Sequence, residues 1–75
     1  MIRMNLKIFR IRHNLTQSDM AQRVGYDRAA YSMIEAGARI PSLEFFMNLQ
    51  EAFNVPDEEM WALTRLEKIA GVDSE

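Results

Sequence analysis

The chain of 75 residues contains no cysteine and a single histidine, His13. Disulfide bonds and thiolate or multi-histidine metal sites are therefore excluded, and we expect no metal and no cofactor. Glycine and proline are scarce, with three and two residues, which argues against a disordered chain. No apolar run approaches the roughly 18 residues of a membrane-spanning helix, and the charged N-terminus does not read as a signal peptide. The sequence predicts one soluble, cytoplasmic domain over residues 1–75.

Net charge is also small, but it is unevenly divided along the chain. The sum is −2, yet residues 1–39 hold seven basic and three acidic groups, and residues 40–75 hold two basic and eight acidic groups. The first part is therefore at +4 and the second at −6. Such asymmetry favours one basic working face and an acidic far side, although chance scatter of surface charge gives the same totals.

Hydrophobic periodicity divides the chain into five short helical segments, and no stretch alternates in the manner of a β-strand. The predicted helices begin near residues 5, 16, 28, 42 and 57. The first three stop near residues 13, 24 and 36, and the fifth stops near residue 69. We therefore expect an all-α fold without a sheet.

Boundary signals are clearest around the second and third helices. Thr16 and Asp19 have the spacing of a capping box, with Asp in place of the usual Glu. Gly25 permits the positive φ of a tight turn, and Asp27 is a suitable N-cap. Because only Gly25–Tyr26–Asp27 separates these two short helices, they must cross steeply.

The phase of the apolar residues predicts which faces are buried. Tyr31 and Ile34 of the third helix should face the core. Phe45 and Met47 are expected to be exposed beside the core stripe of the fourth helix. That stripe is formed by Leu43, Phe46, Leu49, Phe53 and Val55. The first helix has a second apolar face, expected to pack on the fifth helix, which is formed by Met4, Ile8 and Ile11.

The segment from residue 15 to 41 carries a specific constellation. It reads Leu15–Thr16–Gln17, Met20–Ala21, Val24–Gly25, Tyr31–Ser32, Ile34–Glu35, Gly37 and Pro41. This pattern resembles the helix-turn-helix of the Cro/CI-type (XRE-like) repressors, over about residues 5–63. The resemblance implies a compact, five-helix, lambda-repressor-like domain with a helix-turn-helix core at about residues 16–36.

The resemblance also implies a function. The chain would be a sequence-specific transcriptional regulator, a repressor or controller of bacterial or phage origin, that binds a palindromic double-stranded DNA operator as a homodimer. Its third helix would lie in the major groove. The expected base-reading residues are Arg28, Ala29, Ser32 and Met33. The expected phosphate contacts are Gln17, Arg39, Tyr26, Arg12, Arg23 and Asn48. Such a regulator acts by excluding or recruiting RNA polymerase, which is the further partner expected.

Two further roles follow for the first and fifth helices. The family commonly pairs an arginine of the first helix with the glutamate of the motif, which implies a structural ion pair between Arg10 and Glu35. The fifth helix, at about residues 57–69, has more apolar residues than one intramolecular contact needs. We therefore expect it to form the dimer interface through Trp61, Leu66 and Ile69.

A protein-interaction module on the same fold, of the antitoxin or antirepressor type, is the alternative that the acidic second half favours. Catalysis is not supported, because the serines and Thr64 have no histidine–acid partners for nucleophilic chemistry.

Overall fold

Five short α-helices follow one another within residues 1–67, the part of the chain that the computed structural model describes. They are α1 (Met4–Arg12), α2 (Gln17–Val24), α3 (Arg28–Glu35), α4 (Leu43–Phe53) and α5 (Asp57–Thr64). The predicted all-α fold is confirmed. Within the described residues, no helix is long and apolar enough to cross a membrane.

The boundaries of α2 and α3 form by the local signals that the sequence carries. The Thr16 hydroxyl accepts a hydrogen bond from the Asp19 N–H at 3.0 Å, and the Asp19 carboxylate accepts one from the Thr16 N–H at 3.0 Å. Gly25 ends α2 at φ +78°. The Asp27 carboxylate then accepts the Ala30 N–H at 2.7 Å and begins α3. These local bonds therefore set where α2 ends and where α3 begins.

The core lies where α2, α3 and α4 meet, with α1 and α5 closing one side. At its centre the Tyr31 and Phe45 rings stack with their centroids 6.3 Å apart. The buried apolar residues are Leu6, Met20, Ala21, Val24, Tyr31, Ile34, Phe45, Leu49, Val55 and Leu63. The inward orientation predicted for Tyr31 and Ile34 is confirmed.

The predicted core face of α4 was partly wrong. Phe45 is fully buried, whereas Leu43 is 74 % exposed. The Phe45 ring packs edge-on against Tyr26, with centroids 5.5 Å apart, in addition to its stack on Tyr31. These aromatic partners on neighbouring segments fix the rotation of α4, and they leave Leu43 and Met47 in solvent.

The second apolar face of α1 is not covered as predicted. Ile8 and Ile11 are exposed. The helix α5 instead approaches α1 beside Asn5, whose side-chain amide donates to the Ala62 carbonyl at 2.9 Å. This hydrogen bond and the burial of Leu63 turn α5 away from Ile8 and Ile11.

The fifth helix ends at Thr64, earlier than the predicted end near residue 69. From Arg65 the backbone is extended, and Glu67 forms an antiparallel β-bridge with Ile2 through N–O distances of 2.9 and 2.7 Å. This bridge is a single isolated pair of residues and not a strand, so the expectation of a fold without a sheet holds within residues 1–67. Leu66 lies on the extended segment and not on α5, and Ile69 lies outside the described residues.

Candidate nucleic-acid interface

The helix α3 has one face in the core and one in solvent. Tyr31, Ile34 and Glu35 are buried. The side chains proposed from the sequence to read bases lie on the other face, where Arg28, Ala29 and Met33 are exposed and Ser32 is half-buried. The structure thus brings these four side chains together on one outward surface.

The buried Glu35 carboxylate holds α3 against α1 and α2. It is 5 % exposed and receives two hydrogen bonds from the Arg10 guanidinium, at 2.8 and 3.2 Å. The Tyr31 hydroxyl donates to it at 2.7 Å, and the Gln17 amide donates at 3.1 Å. Because both carboxylate oxygens accept two hydrogen bonds each, the buried charge is fully satisfied.

The protonation states of this cluster follow from its contacts. Burial raises the pKa of Glu35, but the hydrogen bonds from Arg10, Tyr31 and Gln17 lower it by more, so this pKa lies below its ordinary value. The hydrogen bond to Glu35 raises the pKa of Arg10. Burial, followed by the contact with Glu35, raises the pKa of Tyr31. At neutral pH the ion pair is charged and the phenol keeps the proton that it donates.

Gln17 is the first residue of α2, and its side chain reaches α3 through Glu35. A side-chain amide carries two donor hydrogens, of which this contact uses one. Within residues 1–67 the second makes no hydrogen bond, and it lies at the start of α2. The position predicted for Gln17 therefore suits both a structural and a phosphate-binding role.

Arg39 lies in the loop between α3 and α4 and is exposed. Its guanidinium carbon is 5.3 Å from the centroid of the Tyr26 ring, a cation–π contact. The Tyr26 hydroxyl donates to the Ser42 hydroxyl at 2.9 Å and accepts from the Ser42 N–H at 3.3 Å. Tyr26 therefore supports Arg39, and its own hydroxyl proton is already used within the chain.

Three of the predicted phosphate contacts are placed elsewhere. The Arg23 guanidinium lies 5.6 Å from the centroid of Phe53 on α4. Arg12 borders a depression between α1 and α5. Asn48 donates its amide to the Val24 carbonyl at 3.1 Å, at the end of α2. These side chains are not grouped with the outward face of α3.

Lys7 is a candidate that the sequence reasoning missed. It is exposed and borders a depression lined by Gln17 and Ser32. The available signal was spacing, because Lys7 precedes Arg10 by three positions and so shares the side of α1 that faces α2 and α3. A further cation is thus placed beside the start of α2.

The charges around α3 favour a polyanion. Lys7, Arg28 and Arg39 are exposed near its outward face, while the charge of Glu35 is balanced by Arg10. The nearby Asp27 carboxylate accepts the backbone N–H that it caps. This surface therefore carries three of the seven basic groups noted in residues 1–39.

Comparison with known proteins agrees with this geometry. A family model described as Helix-turn-helix matches residues 6–60. The chain is 38 % identical, over 56 residues, to an uncharacterized HTH-type transcriptional regulator of Methanocaldococcus jannaschii, covering 75 % of this chain and 85 % of that protein. It is 33 % identical, over 60 residues, to another of Archaeoglobus fulgidus, covering 80 % and 84 %. No solved structure matches. The chain belongs to the Cro/CI-type (XRE-like) helix-turn-helix family.

Proposed function

We propose that this chain is a sequence-specific transcription regulator that binds double-stranded DNA by placing α3 in the major groove. The observation that carries the proposal is the outward face of α3, which is free of the core while the opposite face is held through Glu35. A major groove about 12 Å wide accepts one α-helix. The relatives are named as transcriptional regulators, and family membership separates the chain from enzymes.

Base readout is assigned to the four outward side chains of α3. Arg28 can donate two hydrogen bonds to O6 and N7 of a guanine, which is the strongest discriminating contact available to this face. Ala29 and Met33 suit apolar contact with a thymine methyl group, and Ser32 suits a single hydrogen bond. Arg28 is therefore expected to dominate the choice of operator.

Phosphate contacts are assigned to the residues that surround this face. We assign them first to Gln17 and Arg39, with Lys7 added from its position beside Gln17. Tyr26, Arg23 and Asn48 rank below these because of the contacts that they make within the chain, and Arg12 ranks below them because it borders the depression between α1 and α5. Phosphate contacts position the helix, whereas base contacts specify the sequence.

A salt titration tests this assignment. Duplexes selected from random DNA by the purified protein should bind with an affinity that falls steeply as salt rises. Replacing Lys7 with Ala should reduce the slope of log K against log salt by about 0.9, the value for one phosphate contact. Arg12→Ala is the matched comparison, and it should reduce the slope by less, whereas a larger reduction than that of Lys7→Ala would move the phosphate contact from Lys7 to Arg12. Selection of no duplex would exclude the proposed function.

We further propose a homodimer on a palindromic operator, because two copies double the readout of one short helix. Trp61 is the proposed anchor. It lies on α5, 68 % exposed, with the Arg65 guanidinium carbon 5.0 Å from its ring centroid. Leu66, on the extended segment after α5, is kept as a second residue of the proposed interface.

Trp61→Glu should give a folded monomer by sedimentation and circular dichroism. Leu43→Glu, at an equally exposed apolar residue of α4, should stay dimeric, and the reverse result would move the interface to α4.

The alternative is an interaction module of the antitoxin or antirepressor type, favoured by the exposed acidic residues of α4 and α5. These are Glu44, Glu51, Asp57, Glu58 and Glu59. Such a module would show no selected duplex and no steep salt dependence. Repression, activation and contact with RNA polymerase stay predictions, and the archaeal relatives give no support to a bacterial or phage origin.

A further inference from the structure

Arg3 is a buried cation for which the proposed function has no role. It is 5 % exposed. Its Nε donates to the Thr64 carbonyl at 2.7 Å, and its Nη1 donates to the carbonyls of Ile34 at 2.6 Å and Arg39 at 3.1 Å. Its backbone N–H donates to the Glu35 carbonyl at 2.9 Å. Within residues 1–67, no acidic side chain pairs with it.

These acceptors share a position in the fold, because most belong to the ends of helices. Ile34 and Glu35 form the last turn of α3, and Thr64 is the last residue of α5. The final carbonyls of a helix lack partners within it and form the negative end of its dipole. One guanidinium therefore caps two helices at once and holds their ends together.

The remaining acceptor, the Arg39 carbonyl, connects this cap to the proposed DNA surface. The backbone of Arg39 is held on both sides, since its N–H donates to the Met33 carbonyl at 3.2 Å and its carbonyl accepts from Arg3. The preceding Ala38 N–H donates to the same Met33 carbonyl at 2.8 Å. The path of the loop after α3, and hence the point from which the Arg39 side chain projects, is set by these bonds.

We propose that Arg3 is a positioning residue for DNA binding, which fixes the Arg39 loop relative to α3 so that base-reading and phosphate-binding side chains meet one duplex in register. The inference rests on the proposed function of Arg39 as a phosphate contact. Arg3 itself is not assigned a DNA contact, because its side chain is buried and its Nε and Nη1 donate to carbonyls of the chain.

The matched variant Asn5→Ala distinguishes a purely structural role of Arg3 from the proposed positioning role. Asn5 also ties the N-terminal segment to α5, through the Ala62 carbonyl, but it makes no hydrogen bond to α3 or to the Arg39 loop. Asn5→Ala should lower stability and leave DNA binding unchanged. Arg3→Met removes the donors at similar side-chain length, and Arg3→Lys keeps the charge without the planar fork.

The experiment has a readout that needs no DNA. Amide hydrogen exchange at Ala38 and Arg39, measured by NMR, should accelerate in Arg3→Met, partly recover in Arg3→Lys, and stay as in the unaltered chain in Asn5→Ala. If Arg3→Met does not fold, Arg3→Lys is compared with Asn5→Ala in the same way. Unchanged exchange at both amides would overturn the proposal whatever the chain binds.

The second readout is a double-mutant cycle on the selected duplex. Arg3→Met should weaken binding about tenfold, comparable with loss of one charged hydrogen bond. Arg39→Ala should cost much less in the Arg3→Met background than alone, because its guanidinium is no longer positioned there. Fully additive losses would overturn the positioning role and leave the function intact. No loss from Arg39→Ala alone would remove the phosphate contact and the positioning role together.

Discussion

The two ends of α3 are built differently. At the N-terminal end Arg28 and Ala29 are exposed, and the principal tie is the Asp27 cap. At the C-terminal end Glu35 is bound twice, because its side chain accepts from Arg10 and its backbone carbonyl accepts from Arg3. The difference teaches that α3, the helix proposed to read the operator, is anchored at one end and left open at the other. Substitutions of the buried ion pair at the anchored end should have the largest effect on stability, and substitutions of the exposed side chains at the open end should act mainly on recognition.

The anchored end gives the largest expected effect. Glu35→Ala leaves the guanidinium of Arg10 without its partner, and Arg10 is only 12 % exposed. Removing one member of a buried pair costs about 3 kcal/mol or more, which should lower the free energy of unfolding by that amount in urea. Tyr31→Phe, which removes one hydrogen bond, should cost about 1 kcal/mol. Equal effects of the two variants would contradict the central role of the carboxylate.

The open end gives the next largest effect, and it should appear in binding. Arg28→Ala is expected to weaken binding to the selected operator by about 1–3 kcal/mol and to relax one base position. Its free energy of unfolding should change by less than about 0.5 kcal/mol, because the side chain is exposed. Losses of equal size on selected and random duplexes would instead identify Arg28 as a phosphate contact.

The Asp27 cap sharpens the comparison, because it is the structural tie at the open end. Asp27→Ala should lower the free energy of unfolding by about 1 kcal/mol, since the Ala30 N–H loses its acceptor. Asp27→Asn keeps an acceptor and is expected to stay close to the unaltered chain in thermal unfolding. A loss as large as that of Glu35→Ala would show that the two ends are held equally.

Lowering the pH should also destabilise the anchored end, and by less than the Glu35→Ala substitution does. The pKa of Glu35 is lower in the folded chain, so its stabilisation is present above the ordinary value of 4.5 and is lost as pH falls through the folded pKa. Unfolding in urea at pH 3 and pH 6 should therefore differ, and the difference should shrink in Glu35→Gln. The pKa of the exposed Asp19 is also lowered, by the Thr16 backbone hydrogen bond, and Asp19 accounts for part of the difference between pH 3 and pH 6 that remains in Glu35→Gln.

The features predicted correctly from the sequence depend on local chemistry. The capping box at Thr16, the turn at Gly25 and the cap at Asp27 need only residues a few positions apart. The motif resemblance supplied the pairing of Arg10 with Glu35, which the structure contains. These are the elements that place α3, so the outward surface could be read from the sequence.

The features that were missed depend on distant partners. The rotation of α4 follows the contact of Phe45 with two tyrosines on other segments, which periodicity alone does not contain. The early end of α5 follows the pairing of Glu67 with Ile2. Arg3 left one signal in the sequence, a charged residue between apolar Ile2 and Met4, but its acceptors were not identifiable.

The sequence separation of the Arg3 contacts also bears on the order in which the contacts of the fold can form. Arg3 and Thr64 are 61 positions apart, and closing so long a loop is entropically unfavourable until the intervening helices have formed. The helix-turn-helix, held by local contacts, is able to form first. During synthesis the bond from Arg3 to the end of α5 cannot form until the chain through Thr64 has left the ribosome. The contacts of α3 with α1 and α2 are therefore able to form before the two ends of the described chain meet, and the link from Arg3 to α5 is added last.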